Sequence, residues 1–407
     1  MSDFVRLQQS KRMIELQYNA VVIGAGPAGS MAAFEIASAG HSVLMLEKHS
    51  RPGVPLCCGE GVGRGAFEKL ISPRPEWISS VISRARVIAP DGTDAIVTRR
   101  ENGYILDRKK LDFDLASRAV EAGCRLECDT IGLNLTGDDR NFDEIDIKRK
   151  DGNTEQVTAR LFIAADGVES RIARTVGMDT FIDIDDVESL LEYRVENISV
   201  SPDLIEFYVG NNVAPKGYLW VFPKSATSAN IGIGIITDGK RGGLAKSLLD
   251  EFMAQHYPNG NVIEKMAGLT PKYNRKELFR RGNLLVVGDA ARILDSLTGA
   301  GIVNAMLSGR LAGLAAVEYL SNRVDDIEET DRIYPGLFLE LKGDELSMYR
   351  RLKNAYTHLN DEDFIDIVKA LNTYFEHNST DGVNASKLLA GIIISRPQLI
   401  RLARYII

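Results

Sequence analysis

The stretch VVIGAGPAGSMAAFEIASAGHSVLMLEK, from Val21 to Lys48, decides the fold. An apolar strand enters Gly24-Ala25-Gly26-Pro27-Ala28-Gly29, which fits G-x-G-x-x-G. Gly24 permits the tight turn, Gly26 lets a pyrophosphate approach the backbone, and Gly29 lets a helix pack close to the sheet. The spacing predicts a helix from about Pro27 to Ser38, with Ala28 in its first turn. Its unpaired N–H groups and positive dipole end would face the phosphates. A break at Gly40 and a second strand, HSVLMLE, follow. Glu47 ends that strand, with Lys48 beside it, where a carboxylate accepts hydrogen bonds from an adenosine ribose. A glutamate favours a free ribose hydroxyl over a phosphorylated one, so FAD or NAD is expected ahead of NADP.

Two later stretches choose between them. In ARLFIAADGVESRIARTVG an apolar strand ends at Asp166-Gly167 and a helix with Ser170 and Arg171 follows. In GNLLVVGDAARILDSLTGAGIVNAMLSGRLAG a buried strand ends at Gly288-Asp289, and Gly299-Ala300-Gly301-Ile302 opens a small-residue helix. Asp289 suits a ribityl hydroxyl, and the helix start at Gly301 offers N–H groups to the anionic edge of a flavin. Together the two stretches indicate FAD.

With these motifs in this order, the chain is similar to the flavoprotein superfamily that includes p-hydroxybenzoate hydroxylase. Within it, the chain resembles the geranylgeranyl reductase family, which includes archaeal digeranylgeranylglycerophospholipid reductases. Pro215-Lys216-Gly217-Tyr218-Leu219-Trp220-Val221-Phe222-Pro223 resembles that family's P-x-x-Y-x-W-x-F-P, and Cys58-Gly59-Glu60-Gly61 resembles its C-G-E-G. ILDRKKLD resembles the segment whose arginine, Arg108 here, lies near the FAD phosphates. The resemblance covers about Tyr18 to Leu320. It departs at Ser296, where the family more often has proline, at Ala300 inside the glycine triplet, and at Cys57, a second thiol of open role.

The expected architecture is α/β: a discontinuous Rossmann-like FAD-binding domain, an antiparallel β-rich substrate domain and a helical C-terminal region. The FAD-binding domain is placed at residues 17–80, 104–180 and 276–322, and the substrate domain at 81–103 and 181–275. Residues 323–407 form the helical region. LDFDLASRAVEAG predicts a helix with Leu111, Leu115 and Val120 on its inner face. Thr136 to Asn153 is polar and predicts an exposed hairpin, and ARVIAPDGTDAIVT a hairpin around Asp91-Gly92. SLLEYRVENI, DLIEFYVGNN, GYLWVFPKS and SANIGIGIIT predict strands that wall a pocket. Tyr218 and Trp220 share one face of theirs. Cys124 and Cys128, at even spacing with Leu126, are expected as core residues on one strand face.

Composition sets the outer bounds. The 407 residues carry a net charge of -7 with 26% charged side chains, which argues against a nucleic-acid partner. No apolar run reaches the length of a bilayer span, and the first 17 residues lack the apolar core of a secretory signal. Met13 is a second candidate start. Five histidines without ligand spacing give an expectation of no metal site. The tail SKLLAGIIISRPQLIRLARYII mixes aliphatics with basic residues, so a peripheral membrane contact stands beside a terminal helix packed on the body. Localisation is expected to be cytoplasmic, or peripheral on the membrane.

The resemblance implies an FAD-dependent reductase that saturates isolated C=C bonds of geranylgeranyl chains in membrane-lipid precursors. Hydride would come from flavin N5 and a proton from an active-site acid. Cys58, protonated at neutral pH as an ordinary thiol, is the candidate acid, with Glu60 a lesser one. Tyr218 and Trp220 are candidate catalytic aromatics, whose ring faces favour developing positive charge. They join Phe222 and Pro223 as the substrate-binding set. The expected cofactor-binding set is Gly24, Gly26, Ala28, Gly29, Glu47, Lys48, Cys58, Gly59, Arg108, Asp166, Gly167, Gly288, Asp289, Gly299, Ala300, Gly301 and Ile302. A second dinucleotide fingerprint is missing from the sequence, so electrons are expected from a ferredoxin-like protein or from transient NAD(P)H. A flavin monooxygenase is the rival enzyme, and a non-catalytic lipid-binding flavoprotein the rival of another class.

Overall fold

The computed structural model describes residues 17–56, 58–138, 140–236, 242–273 and 278–377. Met13, Cys57 and the basic-aliphatic tail lie outside the described residues.

The glycine-rich turn starts the first of two sheets. Strands β1 (Gln17–Ile23), β2 (Val43–Leu46), β6 (Arg125–Glu127), β9 (Thr154–Ala164) and β16 (Leu284–Val286) run parallel in the order β16-β9-β1-β2-β6. The short β15 (Arg280–Arg281) closes one edge, while β7 (Thr130–Gly137) and β8 (Phe142–Arg149) add antiparallel to β9. The parallel strands are apolar throughout because helices cover them. Helices α1 (Pro27–Ser38) and α6 (Ile302–Leu320) pack at close range: a Cβ on Gly309 would overlap the backbone of Ala28. Helix α3 (Arg108–Glu121) lies against α1. It buries Leu111, Leu115, Ala116 and Ala119, whereas Val120 is 43% exposed. Its sequence spacing fits a helix, but Ala119 takes the inward position next to it.

Thr136 to Asn153 does turn back on itself, yet its middle is β8. Phe142, Ile145 and Ile147 enter the core, and the Asn283 side chain accepts from Phe142 N at 2.7 Å and donates to Phe142 O. Polar alternation on the outer face had hidden the buried one. Strand β6 is too short to carry both cysteines. Cys124 is buried ahead of it and Cys128 half-buried beyond it.

The second sheet follows the order β14-β10-β13-β12-β11-β4-β5-β3. Its strands are β3 (Gly61–Gly63), β4 (Ile78–Ile88), β5 (Asp94–Leu106), β10 (Val187–Glu196), β11 (Leu204–Val209), β12 (Tyr218–Ser225), β13 (Ser228–Ile235) and β14 (Asn261–Pro271). All pairs are antiparallel except β11 with β4. Helix α5 (Leu244–His256) covers one face, burying Leu249, Phe252 and Met253 against Leu219, Val221 and Ile231. The opposite face, left free of α5, turns toward the first sheet. Short helices α2 (Arg64–Glu68) and α4 (Arg171–Thr175) join elements, and α7 (Phe338–Tyr356) and α8 (Asp361–His377) complete the described chain. Among the described residues no helix is long and apolar enough to cross a membrane.

Candidate active site

A continuous cavity of about 1460 Å³ runs from the glycine-rich turn to the free face of the second sheet. At its first end the backbone is shaped for a bulky anion. Gly24 sits at φ +108°, where a side chain would run into Ala165, and Gly29 is pressed against the Gly24 carbonyl. Gly26 has nothing within 4 Å of the position a Cβ would take, and it begins α1 without a side-chain cap. The first N–H groups of α1 therefore open onto the cavity, the arrangement that receives phosphates. Glu47 directly follows β2, with Oε2 accepting from Ala25 N at 3.1 Å and Oε1 from His49 N and Nδ1. Lys48, half-exposed, faces Glu169 at 3.9 Å.

The other acids expected at the cofactor do converge there. Asp166 accepts from Ile172 N with Oδ2, while Oδ1 is buried without a partner among the described residues; burial raises its pKa. The Asp289 carbonyl accepts from Arg292, but no described hydrogen bond reaches its carboxylate, whose pKa burial raises against the charges of Arg108 and Arg292. Orphaned acceptors in a large cavity are what ribose and ribityl hydroxyls would satisfy. Gly299 takes φ +72°, and Gly301 begins α6 with no side-chain cap. Asp295 holds that loop, accepting from Leu297 N, Thr298 N and Thr298 Oγ1. Ser296 has its own task, accepting from Tyr273 N at 2.7 Å. Residues of this chain thus fit FAD along the whole first half of the cavity.

The second half is built by strand register. Three rows cross the free face of the second sheet: Tyr218–Gly234–Leu190, Trp220–Gly232–Glu192 and Phe222–Asn230–Arg194. With no side chain at Gly232, the Trp220 indole lies across β13 and its Nε1 donates to Glu192 Oε2 at 2.9 Å. Phe207 on β11 meets Tyr218 and Phe222 edge-on at 5.4 and 5.5 Å. Together with Ile82, Ile205 and Leu190 these rings form an apolar wall. Tyr218 O–H donates to the Thr298 carbonyl, fastening the wall to the loop ahead of α6. Pro223 points to the other face, with Leu219 and Val221, and neither it nor Gly29 lines the cavity.

Between the halves lies the Cys58-Gly59-Glu60-Gly61 loop. A Cβ on Gly59 would stand 3.0 Å from the Phe222 ring and 3.2 Å from Trp220 Nε1, so the loop rests directly on the aromatic wall. Cys58 Sγ accepts from Glu60 N at 3.3 Å, and burial pushes the thiol's pKa up, which keeps it protonated. Glu60, at φ +66° and fully buried, accepts from Arg108 N with Oε1. Its Oε2 takes Arg194 Nη2 at 2.9 Å, Lys224 Nζ at 2.5 Å and Asn230 Nδ2 at 2.8 Å. Both carboxyl oxygens of Glu60 are thus taken up by donors that tie the loop to α3 and the second sheet. Arg108 lines the cavity with its guanidinium paired to Asp112 at 2.7 Å.

Sequence reasoning missed Glu192, Arg194, Asn230, Lys224 and Phe207. All lie on strands that it had named, but only the pairing of β10, β13, β12 and β11 brings them to one site. Among the described residues no cluster of His, Cys, Asp and Glu could hold a metal ion.

Known proteins resemble this chain in sequence and in fold. The family profile of the geranylgeranyl reductase catalytic domain matches residues 186–270, and that of an NAD(P)-binding Rossmann-like domain matches 22–56. The digeranylgeranylglycerophospholipid reductase of Methanocella arvoryzae is 33% identical over 390 residues, covering 95% of this chain and 98% of its own. That of Methanosphaerula palustris is 41% identical over 312 residues, 75% of this chain and 77% of its own. A solved geranylgeranyl bacteriochlorophyll reductase-like protein from Thermoplasma acidophilum superposes with a TM-score of 0.88 at 29% identity, covering 97% of this chain and all of that one. A flavin-dependent brominase shares the fold alone, with a TM-score of 0.66 at 18% identity over 95% of this chain and 93% of its own.

Proposed function

This chain belongs to the digeranylgeranylglycerophospholipid reductase family, and from that premise we propose how its cavity divides the work of an FAD-dependent reductase saturating the C=C bonds of geranylgeranyl lipid chains. When bound, FAD supplies the hydride. The chain's own residues hold the prenyl group, exclude water and deliver a proton.

The observation that carries this division is the contact of the Cys58-Gly59 loop with the wall of Tyr218, Trp220 and Phe222. An isolated alkene has no carbonyl to hold negative charge, so its more substituted carbon turns partly positive as the bond is reduced. Ring faces of Tyr218 and Trp220 favour that charge. Among the described residues of the loop, Cys58 brings the group with a proton to give, since Glu60 is fully engaged. Apolar side chains along β4, β11 and β12 receive the rest of the chain. Gly24, Gly26, Asp166, Asp289 and the loop ahead of α6 seat the cofactor beside it.

Electrons come from an external donor, a ferredoxin-like protein or NAD(P)H, and dithionite replaces it in the assay. The tail's basic and aliphatic residues suit a peripheral contact with the membrane that stores the substrate. The test is Cys58→Ala. This variant should retain FAD and the wild-type visible spectrum yet lose alkene reduction by about 100-fold or more, the usual worth of a placed acid. Turnover at the wild-type rate would remove Cys58 from the mechanism.

A further inference from the structure

Glu60 holds a backbone shape that residues other than glycine rarely take, with φ at +66°. Three attachments keep it there. Its carbonyl accepts from Leu106 N at 2.9 Å, beside the pairing of Gly61 with Ile105. Its Oε1 accepts from Arg108 N at the head of α3. Its Oε2 accepts from Arg194, Lys224 and Asn230, on three strands of the second sheet. With carbonyl and carboxyl both held, the Cα is fixed in place and the N–H stays on its target. That target is Cys58 Sγ, at 3.3 Å.

The contact gains in worth during the reaction. The sulfur of a neutral thiol is a weak acceptor. As the S–H bond breaks, negative charge gathers on Sγ beside an apolar wall, where an unmet charge is costly. A donor already aimed at the atom that gains charge lowers that cost without rearrangement. Burial raises the pKa of the thiol, the charge of Arg108 and the Glu60 N–H lower it, and the charges of Glu192 and Glu60 raise it again. The Arg108 guanidinium is itself paired with Asp112. The direct donor to the sulfur is the Glu60 N–H.

We propose that Glu60 is a positioning residue for the Cys58 thiol: its clamped carboxyl aims its own N–H at Sγ, ready for the charge that proton release leaves there. The proposal rests on the reading of Cys58 as proton donor. As the alkene is reduced, one carbon takes the hydride of the reduced cofactor. At the other a C–H bond forms as the Cys58 S–H bond breaks, and the electron pair left on Sγ is met by the Glu60 N–H. Water returns a proton to the sulfur after product leaves. Glu60 itself neither gains nor loses one.

The test is a double-mutant cycle in the FAD-loaded full chain, with a geranylgeranyl lipid as probe and dithionite as reductant. Glu60→Gly removes the carboxyl, while glycine takes the same backbone shape freely. It should keep FAD and a KM near that of wild type, and lose about 100-fold in kcat, the usual worth of a preorganised donor. Glu60→Gln, which still offers an acceptor to the clamp, should regain part of that loss. In a Cys58→Ala background Glu60→Gly should cost nothing further, because the sulfur it serves is gone. Equal losses in both backgrounds would make Glu60 a general prop of the loop and overturn the proposal, as would E60G at the wild-type rate. Should E60G fail to hold FAD, Asn230→Ala leaves Arg194 and Lys224 paired to Glu60 and carries the same cycle, with a loss of about fivefold confined to the chain that keeps Cys58. A Cys58→Ala variant as fast as wild type would fell the reading of Cys58 and this inference with it; a slow one with additive losses fells the inference alone.

Discussion

Glu60 and Glu192 open onto one cavity with the same carboxyl group and meet opposite surroundings. Four donors converge on Glu60, from α3, β10, β12 and β13. Glu192 meets a single neutral donor in an apolar wall. Linkage turns that difference into a stability prediction. The folded chain binds the Glu192 proton with a pKa of about 8, against 4.5 for an ordinary glutamate. The resulting stabilisation is fully present below the unfolded value and is lost as pH rises to the folded one, at up to about 1.4 kcal/mol per pH unit. Urea unfolding at stepped pH should show wild type losing stability relative to E192Q across that window; parallel curves would place the carboxyl outside the low-dielectric wall. At this scale Cys58, Tyr218 and Trp220 were legible because they stand in a recognisable order in the sequence. Glu192 was not, since a glutamate in SLLEYRVENI alternates like any surface residue until its partner strands are known.

Elements were read well where one local pattern determines them. The turn from β1 into α1, the helix from Pro27 and the four strands β10 to β13 all stand where periodicity and glycine spacing put them. Register was beyond reach, because pairing across β12, β13 and β10 depends on the packing of both sheet faces. SANIGIGIIT illustrates it: the glycines make a poor strand by propensity, yet Gly232 is what lets Trp220 lie across β13, and a side chain at Gly234 would press on Leu190. The two glycines of the first turn separate folding from binding. Gly26→Ala places a methyl where nothing protein-derived lies within 4 Å. Its unfolding free energy should stay within about 0.5 kcal/mol of wild type, while FAD affinity falls at least about tenfold by titration. Gly29→Ala drives a methyl into the Gly24 carbonyl, so it should cost about 1–3 kcal/mol as overpacking does. Equal stability of the two variants would refute the assignment of these roles.

Across the whole molecule, the cavity is a junction and is held as one. Tyr218 on the second sheet bonds the Thr298 carbonyl, Lys109 on α3 meets Glu264 on β14 at 2.7 Å, and Glu60 binds both sheets' surroundings to the cysteine loop. Buried Lys353 on α7 pairs with Glu188 on β10, drawing the C-terminal helices onto the same wall. Composition and motif order were enough to foresee two sheets around FAD; these long-range ties were not, since each joins residues far apart in sequence. The central claim is that the junction holds a prenyl alkene where the reduced cofactor and a protonated thiol reach it together. Its most direct test is a single turnover: anaerobic, dithionite-reduced holoenzyme mixed with a geranylgeranyl lipid, with flavin absorbance followed in time and the lipid then weighed by mass spectrometry. The account predicts that oxidised flavin returns in step with lipid gaining two hydrogens for each bond saturated. Flavin that stays reduced beside unchanged lipid, or reoxidises only when oxygen is admitted and leaves an oxygenated product, would contradict it.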